Sequence, residues 1–322
     1  MILDKKIWVI LTLSVATLVV AEMSPDDEFL TPFEMHKKRA YKVSKVDINQ
    51  PEFMGRKGGP TEQVYGGSEG NETLPFMVYL ESLNAQNVTV HQCSGTIVNE
   101  SWIITAAQCF ERANWTILTL GSIDRTSADA INIITYPSQW VIHEKFIYNG
   151  REYDIALVNL TDTPLTLSAT IAVMPLCCPS LYKQKLFLYN ETVTVFGFGS
   201  TLEPSDPDCP VEFPASVFHA AEVKMANNTA FCSAQLWEHY IDMASTQFCS
   251  SSWYNRTAGA CDVDSGGPVA YTQSGGLGYC IAGVNSMHGY ENCPNSYPFT
   301  VTDMQLQYKW VLSKMKAKPA KC

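Results

Sequence analysis

The chain has 322 residues, a length that suits one large domain or two half-domains sharing a core. An apolar content of 46% and a charged content of 17% fit a packed globular protein, and the lack of low-complexity tracts or long-range repeats argues against a solenoid. The net charge of −10 lies entirely in residues 64–322, because residues 1–63 hold nine Lys/Arg and nine Asp/Glu; an acidic domain disfavours nucleic acid and anionic membrane surfaces as partners.

Residues 1–21 read as a signal peptide. Lys5 and Lys6 flank the apolar run Ile7 to Val20, and Val19 and Ala21 supply a small-residue cleavage site. The run is short of the ~20 apolar residues that a membrane span needs, so no membrane association is expected after cleavage. Residues 22–63 show no sustained apolar period and no cysteine, and read as a pro-segment or linker. The basic groups Lys37–Arg39 and Arg56–Lys57 read equally as processing sites or as solvated charge.

From Val64 onward short β-branched and aromatic runs alternate with turn residues. "PFMVYLES", "CSGTIVNESWIITAA", "WTILTLGS", "DIALVNL", "ETVTVFGFG" and "YCIAGVNS" are the main ones, and their spacing predicts an all-β sandwich or barrel. Residues 302–316 lack Gly and Pro and space Leu306, Trp310, Val311 and Met315 as a helix does, with Thr302 or Asp303 as cap. Residues 317–322 form a tail. Eleven cysteines suit an oxidising compartment. Eight Asn-x-Ser/Thr sequons, at Asn71, Asn87, Asn99, Asn114, Asn159, Asn190, Asn227 and Asn255, suggest a glycosylated surface. Secretion accounts for both, and the expected location is extracellular.

The strongest chemical signal is "CDVDSGGPVA", Cys261 to Ala270, with Ser265 between an acid and two glycines. Glycines there allow a tight turn that aims a hydroxyl and nearby amides at one small volume. The stretch resembles the nucleophile loop of the chymotrypsin-like serine proteases. "VYGG" (Val64 to Gly67), "CSGTIVNESWIITAAQC" (Cys93 to Cys109), "IHEKFIYNGREYDIALVNL" (Ile142 to Leu160), "VFGFG" (Val195 to Gly199), "AGVNS" (Ala282 to Ser286) and "YKWVLSKM" (Tyr308 to Met315) resemble further pieces of that family in the same order. The likeness covers about residues 64–316. It implies two packed six-stranded antiparallel β-barrels, about 64–175 and 180–300, and a C-terminal helix.

The same resemblance places the catalytic triad at Gln108, Asp154 and Ser265, so glutamine stands where the family has its histidine base. Serine attack needs a base that takes the hydroxyl proton and returns it, which imidazole does near neutral pH and a carboxamide does not. Loss of that histidine costs about 10⁶-fold in turnover in an unrelated serine protease. None of His36, His91, His143, His219, His239 and His288 falls at the base position; His143 matches a structural histidine, and His288 lies on the strand that lines the family's cleft.

Three further departures agree. Val263 replaces the glycine whose amide is an oxyanion donor, and a β-branched residue resists the backbone that glycine permits. At the specificity pocket, Gly259 stands where trypsin-like members carry an acid, Met287 and His288 replace a Trp-Gly pair, and Tyr297 matches a wall glycine whose place its ring is expected to fill. Gln63, rather than Arg or Lys, precedes the "VYGG" junction, so the amine that normally pairs with the buried aspartate, here Asp264, is not expected. His91 matches the histidine that holds this aspartate in uncleaved members. Asp264–His91 pairing and simple packing of His91 beside the disulfide both remain open.

Resemblance also implies the disulfides Cys93–Cys109, Cys232–Cys249 and Cys261–Cys293, and leaves Cys177, Cys178, Cys209, Cys280 and Cys322 unassigned, an odd number. No metal site and no cofactor are expected. The expectation is a catalytically inactive serine protease homologue that binds other secreted proteins, including active proteases, as the homologues of insect haemolymph and seminal fluid do. The competing expectation is an active endopeptidase of unusual specificity. A carbohydrate- or lipid-binding module has no support in the sequence.

Overall fold

The computed structural model describes residues 68–69, 74–147, 152–178, 191–199, 215–225, 245–249, 262–272, 278–287 and 299–318. Residues 1–63, the junction at Val64, and Asn71, Asn190, Asn227 and Asn255 lie outside the described residues. Among the described residues no helix is long and apolar enough to cross a membrane.

Two antiparallel sheets carry the fold. The first contains β2 (Met77–Leu83), β3 (Thr89–Asn99), β4 (Trp102–Thr105), β5 (Trp115–Leu120), β6 (Ile131–Thr135), β7 (Trp140–Ile142) and β8 (Ala156–Asn159). Its order is β6-β5-β2-β3-β4-β8-β7. The strands at the two edges, β6 and β7, are joined by a single 3-10 turn over Pro137–Gln139. Proline cannot donate to a ladder, so it breaks one wall strand in two, and the wall bridges both edges of the sheet. Counted as one broken wall, these seven strands are the expected six.

The second sheet runs β1-β10-β9-β12-β13-β14-β11. Its strands are β1 (Ser68–Glu69), β9 (Thr192–Gly197), β10 (His219–Lys224), β11 (Gln247–Cys249), β12 (Pro268–Thr272), β13 (Tyr279–Met287) and β14 (Thr300–Asp303). The seventh strand is β1, which pairs Ser68 with Ala220 and Glu69 with His219. The sequence reading had residues 64–175 in the first barrel; β1 instead crosses to the second sheet, because its pairing partner is β10.

The terminal helix α1 spans Met304–Met315, with Asp303 as its cap: the Asp303 side chain accepts from the Gln305 N–H. Of the residues spaced as a helix, Val311 is buried and Trp310 and Met315 pack on the core, but Leu306 faces outward. Leu306 is 55% exposed, while Met304, Tyr308 and Val311 enter the core. The rings of Tyr153 and Trp310 pack on either side of His143, whose Nδ1 accepts the Lys145 N–H, so this histidine is a structural one.

The sheets meet face to face through Phe76 on Phe196 and Tyr79 on Phe198, both edge-on. Cys93–Cys109 is bonded as expected. Cys177 bonds Cys280, tying the segment between the sheets to β13. Cys178 and Cys249 are also in disulfides, whereas Cys209, Cys232, Cys261, Cys293 and Cys322 lie outside the described residues.

Candidate functional site

Gln108, Asp154 and Ser265 come together where the sheets meet. Gln108 sits in the 3-10 helix Ala107–Phe110 that follows β4, held by the disulfide at Cys109. Asp154 lies two residues before the start of β8 and is fully buried. A buried carboxylate needs donors, and Asp154 has them. Oδ1 accepts the Gln108 backbone N–H at 2.9 Å, and Oδ2 accepts the Ser286 hydroxyl at 2.6 Å. Its backbone carbonyl accepts the Thr302 hydroxyl at 2.8 Å. Ser286 Oγ in turn accepts from Gln247 Nε2 at 2.8 Å.

The Ser286 carbonyl is the centre of the other half of the site. It accepts from the Gln108 side-chain amide, and the Ser265 hydroxyl donates to it at 3.4 Å. Gln108 therefore faces this carbonyl through its nitrogen, a donor. A peptide carbonyl accepts a hydrogen bond but is far too weakly basic to remove the hydroxyl proton.

The turn before Ser265 is equally specific. Asp262–Asp264 is a 3-10 helix. Beyond it the Gly266 N–H donates to the Asn285 carbonyl at 2.7 Å and the Gly267 N–H to the Asp264 carbonyl at 2.9 Å. Val263 is buried in the core, and its carbonyl accepts the Ser94 hydroxyl at 2.9 Å. The Ser94 Oγ also accepts the Phe198 N–H, and the Ser94 N–H donates to the Ser265 carbonyl at 2.8 Å. Ser94 thus anchors the turn from both sides. Val263 keeps a negative φ; among the described non-glycine residues only Asn87, Arg112, Tyr153 and Lys316 are positive.

Gly266 takes the turn onward at φ +85°, and a Cβ there would run into Thr105 Oγ1 and the Ser94 carbonyl. Asp264 is buried against the second sheet. Oδ1 accepts the Gly199 N–H at 2.7 Å, and a Cβ on Gly197 would occupy the place of the carboxylate. His91 is half-buried on β3, opposite Ser82. Of the pocket positions, Met287 ends β13, and Gly259, His288 and Tyr297 lie outside the described residues.

Sequence reasoning missed two parts of this site. Gln247 supports Ser286 from β11, and the Ser286 carbonyl gathers both Gln108 and Ser265. Only "AGVNS" marked this stretch, and as a strand rather than as an acceptor.

The comparisons with known proteins agree with this architecture. A solved collagenase structure, HL collagenase, superposes with a TM-score of 0.63 at 19% identity, covering 78% of this chain and 98% of that one. Chymotrypsin of Phaedon cochleariae is 28% identical over 69% of this chain and 72% of its own length. Melanization protease 1 of Drosophila melanogaster is 25% identical over 80% of this chain and 66% of its own. Transmembrane protease serine 11C of Mus musculus is 29% identical, and this chain spans 53% of that protein. The trypsin family profile matches residues 64–311, taking in both sheets and most of α1, and the chain belongs to the trypsin family.

Proposed function

We propose that this chain is a secreted, glycosylated member of the trypsin family that has lost catalysis and acts by binding other extracellular proteins. The carrying observation is the Ser265 hydroxyl, which donates to the Ser286 carbonyl, an acceptor it shares with the Gln108 amide. Asp154 accepts from the Gln108 N–H and from Ser286 Oγ, and the residue at the base position is a glutamine. Val263 stands where the family has the glycine that supplies one of the two oxyanion amides, and one lost donor costs roughly 10²–10³ in rate.

The pocket and activation readings belong to the same proposal. Tyr297 fills the former specificity pocket, with Gly259, Met287 and His288 reshaping its rim. Asp264 pairs with His91, and no mature amine forms at Val64. Partners are secreted proteins, and the likeness to a protease named for melanization makes haemolymph proteases the first to test. The competing reading, an active endopeptidase of unusual specificity, draws on the retained Asp154 and Ser265 and on relatives that are named as proteases.

Hydrolysis assays with peptide and ester substrates, before and after trypsin treatment, separate the two. No turnover is expected in either state. Turnover that a serine-directed inhibitor blocks, and that Ser265→Ala abolishes, would overturn the proposal. Gln108→His alone is expected to restore little, because the turn over Val263 is unchanged.

A further inference from the structure

Four of the eight sequons lie on described residues, and their surroundings differ in kind. Asn99 ends β3 in the tight connection to β4. Its Oδ1 accepts the N–H of Ser101, the hydroxyl residue of its own sequon. Its Nδ2 lies 3.8 Å from Met315 Sδ at the end of α1, and Met315 packs against the core. Asn87 and Asn114 are both exposed. Asn87 sits at the tip of the β2–β3 connection at φ +59°, a conformation asparagine tolerates. The turn is capped by Asn84, whose Oδ1 accepts from Gln86 and Val88, so the Asn87 side chain is not the capping group. Asn159 is half-buried like Asn99, and its Oδ1 likewise accepts the N–H of its own sequon's hydroxyl residue, Thr161, so what sets Asn99 apart is its contact with Met315.

The two exposed sequons are neighbours. The Asn114 N–H donates to the Leu83 carbonyl at 2.7 Å, where the β2–β3 connection begins. Leu83 pairs with Trp115, the residue after Asn114. The chain reaches Asn114 from Gln108 through two successive turns, Glu111 N–H to Gln108 and Ala113 N–H to Phe110. Both sequons therefore stand on adjoining turns, and Asn114 lies six residues along the chain from Gln108.

We infer that Asn87 and Asn114 carry N-linked glycans, that Asn99 does not, and that the paired glycans cover the rim of the former active site beside Gln108. Glycosylation joins Nδ2 to the anomeric carbon of an oligosaccharide, breaks the bond from that carbon to the phosphate of a lipid-linked donor, and releases one Nδ2 proton. At Asn87 and Asn114 the new bond points into solvent. At Asn99 the sugar would take the space of the Met315 side chain and lift the end of α1 from the first sheet. Partner proteins then engage a face away from this rim. This inference rests on the secretory reading above.

Glycopeptide mapping of the folded protein, secreted from insect cells as the full chain, tests it. Peptides holding Asn87 and Asn114 are expected to carry glycan that peptide-N-glycosidase removes, leaving aspartate, and the Asn99 peptide is expected to be bare. Asn87→Gln and Asn114→Gln should each lose one glycan's mass on intact-mass measurement, and Asn99→Gln none. Glycan on Asn99, or a bare Asn87 or Asn114 while other sequons are occupied, overturns the inference and leaves the secretory reading standing. A protein without glycan at any sequon overturns both.

Discussion

Two adjacent residues of β13 show how differently this fold treats buried polar groups. Ser286 uses its hydroxyl on Asp154 and Gln247, and its carbonyl on Gln108 and Ser265. Asn285, one residue earlier and facing the other way, is 2% exposed, and among the described residues neither end of its carboxamide has a hydrogen-bond partner. His219 on β10 is likewise fully buried with both ring nitrogens outside hydrogen-bond geometry. The cluster around Asp154 is thus saturated while polar groups elsewhere in the second sheet are not.

The widest test of this contrast is removal of its hub. Asp154→Ala leaves the Gln108 N–H and the Ser286 hydroxyl buried without their acceptor, an expected loss of about 3 kcal/mol. For a domain this size that is roughly 6–12 °C in Tm, read by calorimetry. A change of under 2 °C would show that the cluster does not hold the sheets together.

His219 sharpens the contrast through pH. Burial pulls its pKa down to about 4, opposed only weakly by the nearby Val217 carbonyl. The folded value lies below the unfolded value of about 6.5, so the folded state resists protonation. Stability is unaffected by this group above pH 6.5 and falls as pH drops from 6.5 toward 4, by roughly 3 kcal/mol at the acid end. His219→Leu should flatten that limb of the Tm-against-pH curve. An unchanged acid limb in the variant would place the loss elsewhere.

Smaller effects distinguish the two neighbours on β13 and the base position. Asn285→Val removes two unpartnered polar atoms and is expected to stabilise by about 1 kcal/mol in denaturant unfolding, the opposite sign from Asp154→Ala. Gln108→Ala removes one side-chain bond at a half-buried position and is expected to cost only about 0.5–1 kcal/mol. A cost near that of Asp154→Ala would make Gln108 a structural member of the hub rather than a residue resting on it.

Much of this architecture was readable before any coordinates. The strands follow from runs of β-branched and aromatic residues between turns, whereas the positions Gln108, Asp154 and Ser265 and the Cys93–Cys109 bond follow from the resemblance to the serine proteases. What escaped was long-range or directional. Nothing near Cys177 and Cys178 says which of them reaches Cys280, because the closure spans 103 residues and is decided by the third dimension. The pairing of β1 with β10 leaves no trace in two residues of strand. For α1 the helical period through Leu306, Trp310, Val311 and Met315 was evident, but Leu306 faces outward while Met304 and Tyr308 join Val311 in the core. Periodicity names the element and cannot choose its buried face. Gln247 was invisible for the same reason: its role exists only because β11 lies beside β14.

The central claim is that Ser265 is not an activated nucleophile. Incubating the purified full chain with a serine-directed phosphonate, and weighing the intact protein, tests it most directly, because phosphorus is attacked only by a hydroxyl that a base relieves of its proton. The account predicts an unmodified mass for the wild-type protein and for Ser265→Ala alike. A phosphonyl adduct on the wild type that maps to Ser265 and is missing from Ser265→Ala would contradict it.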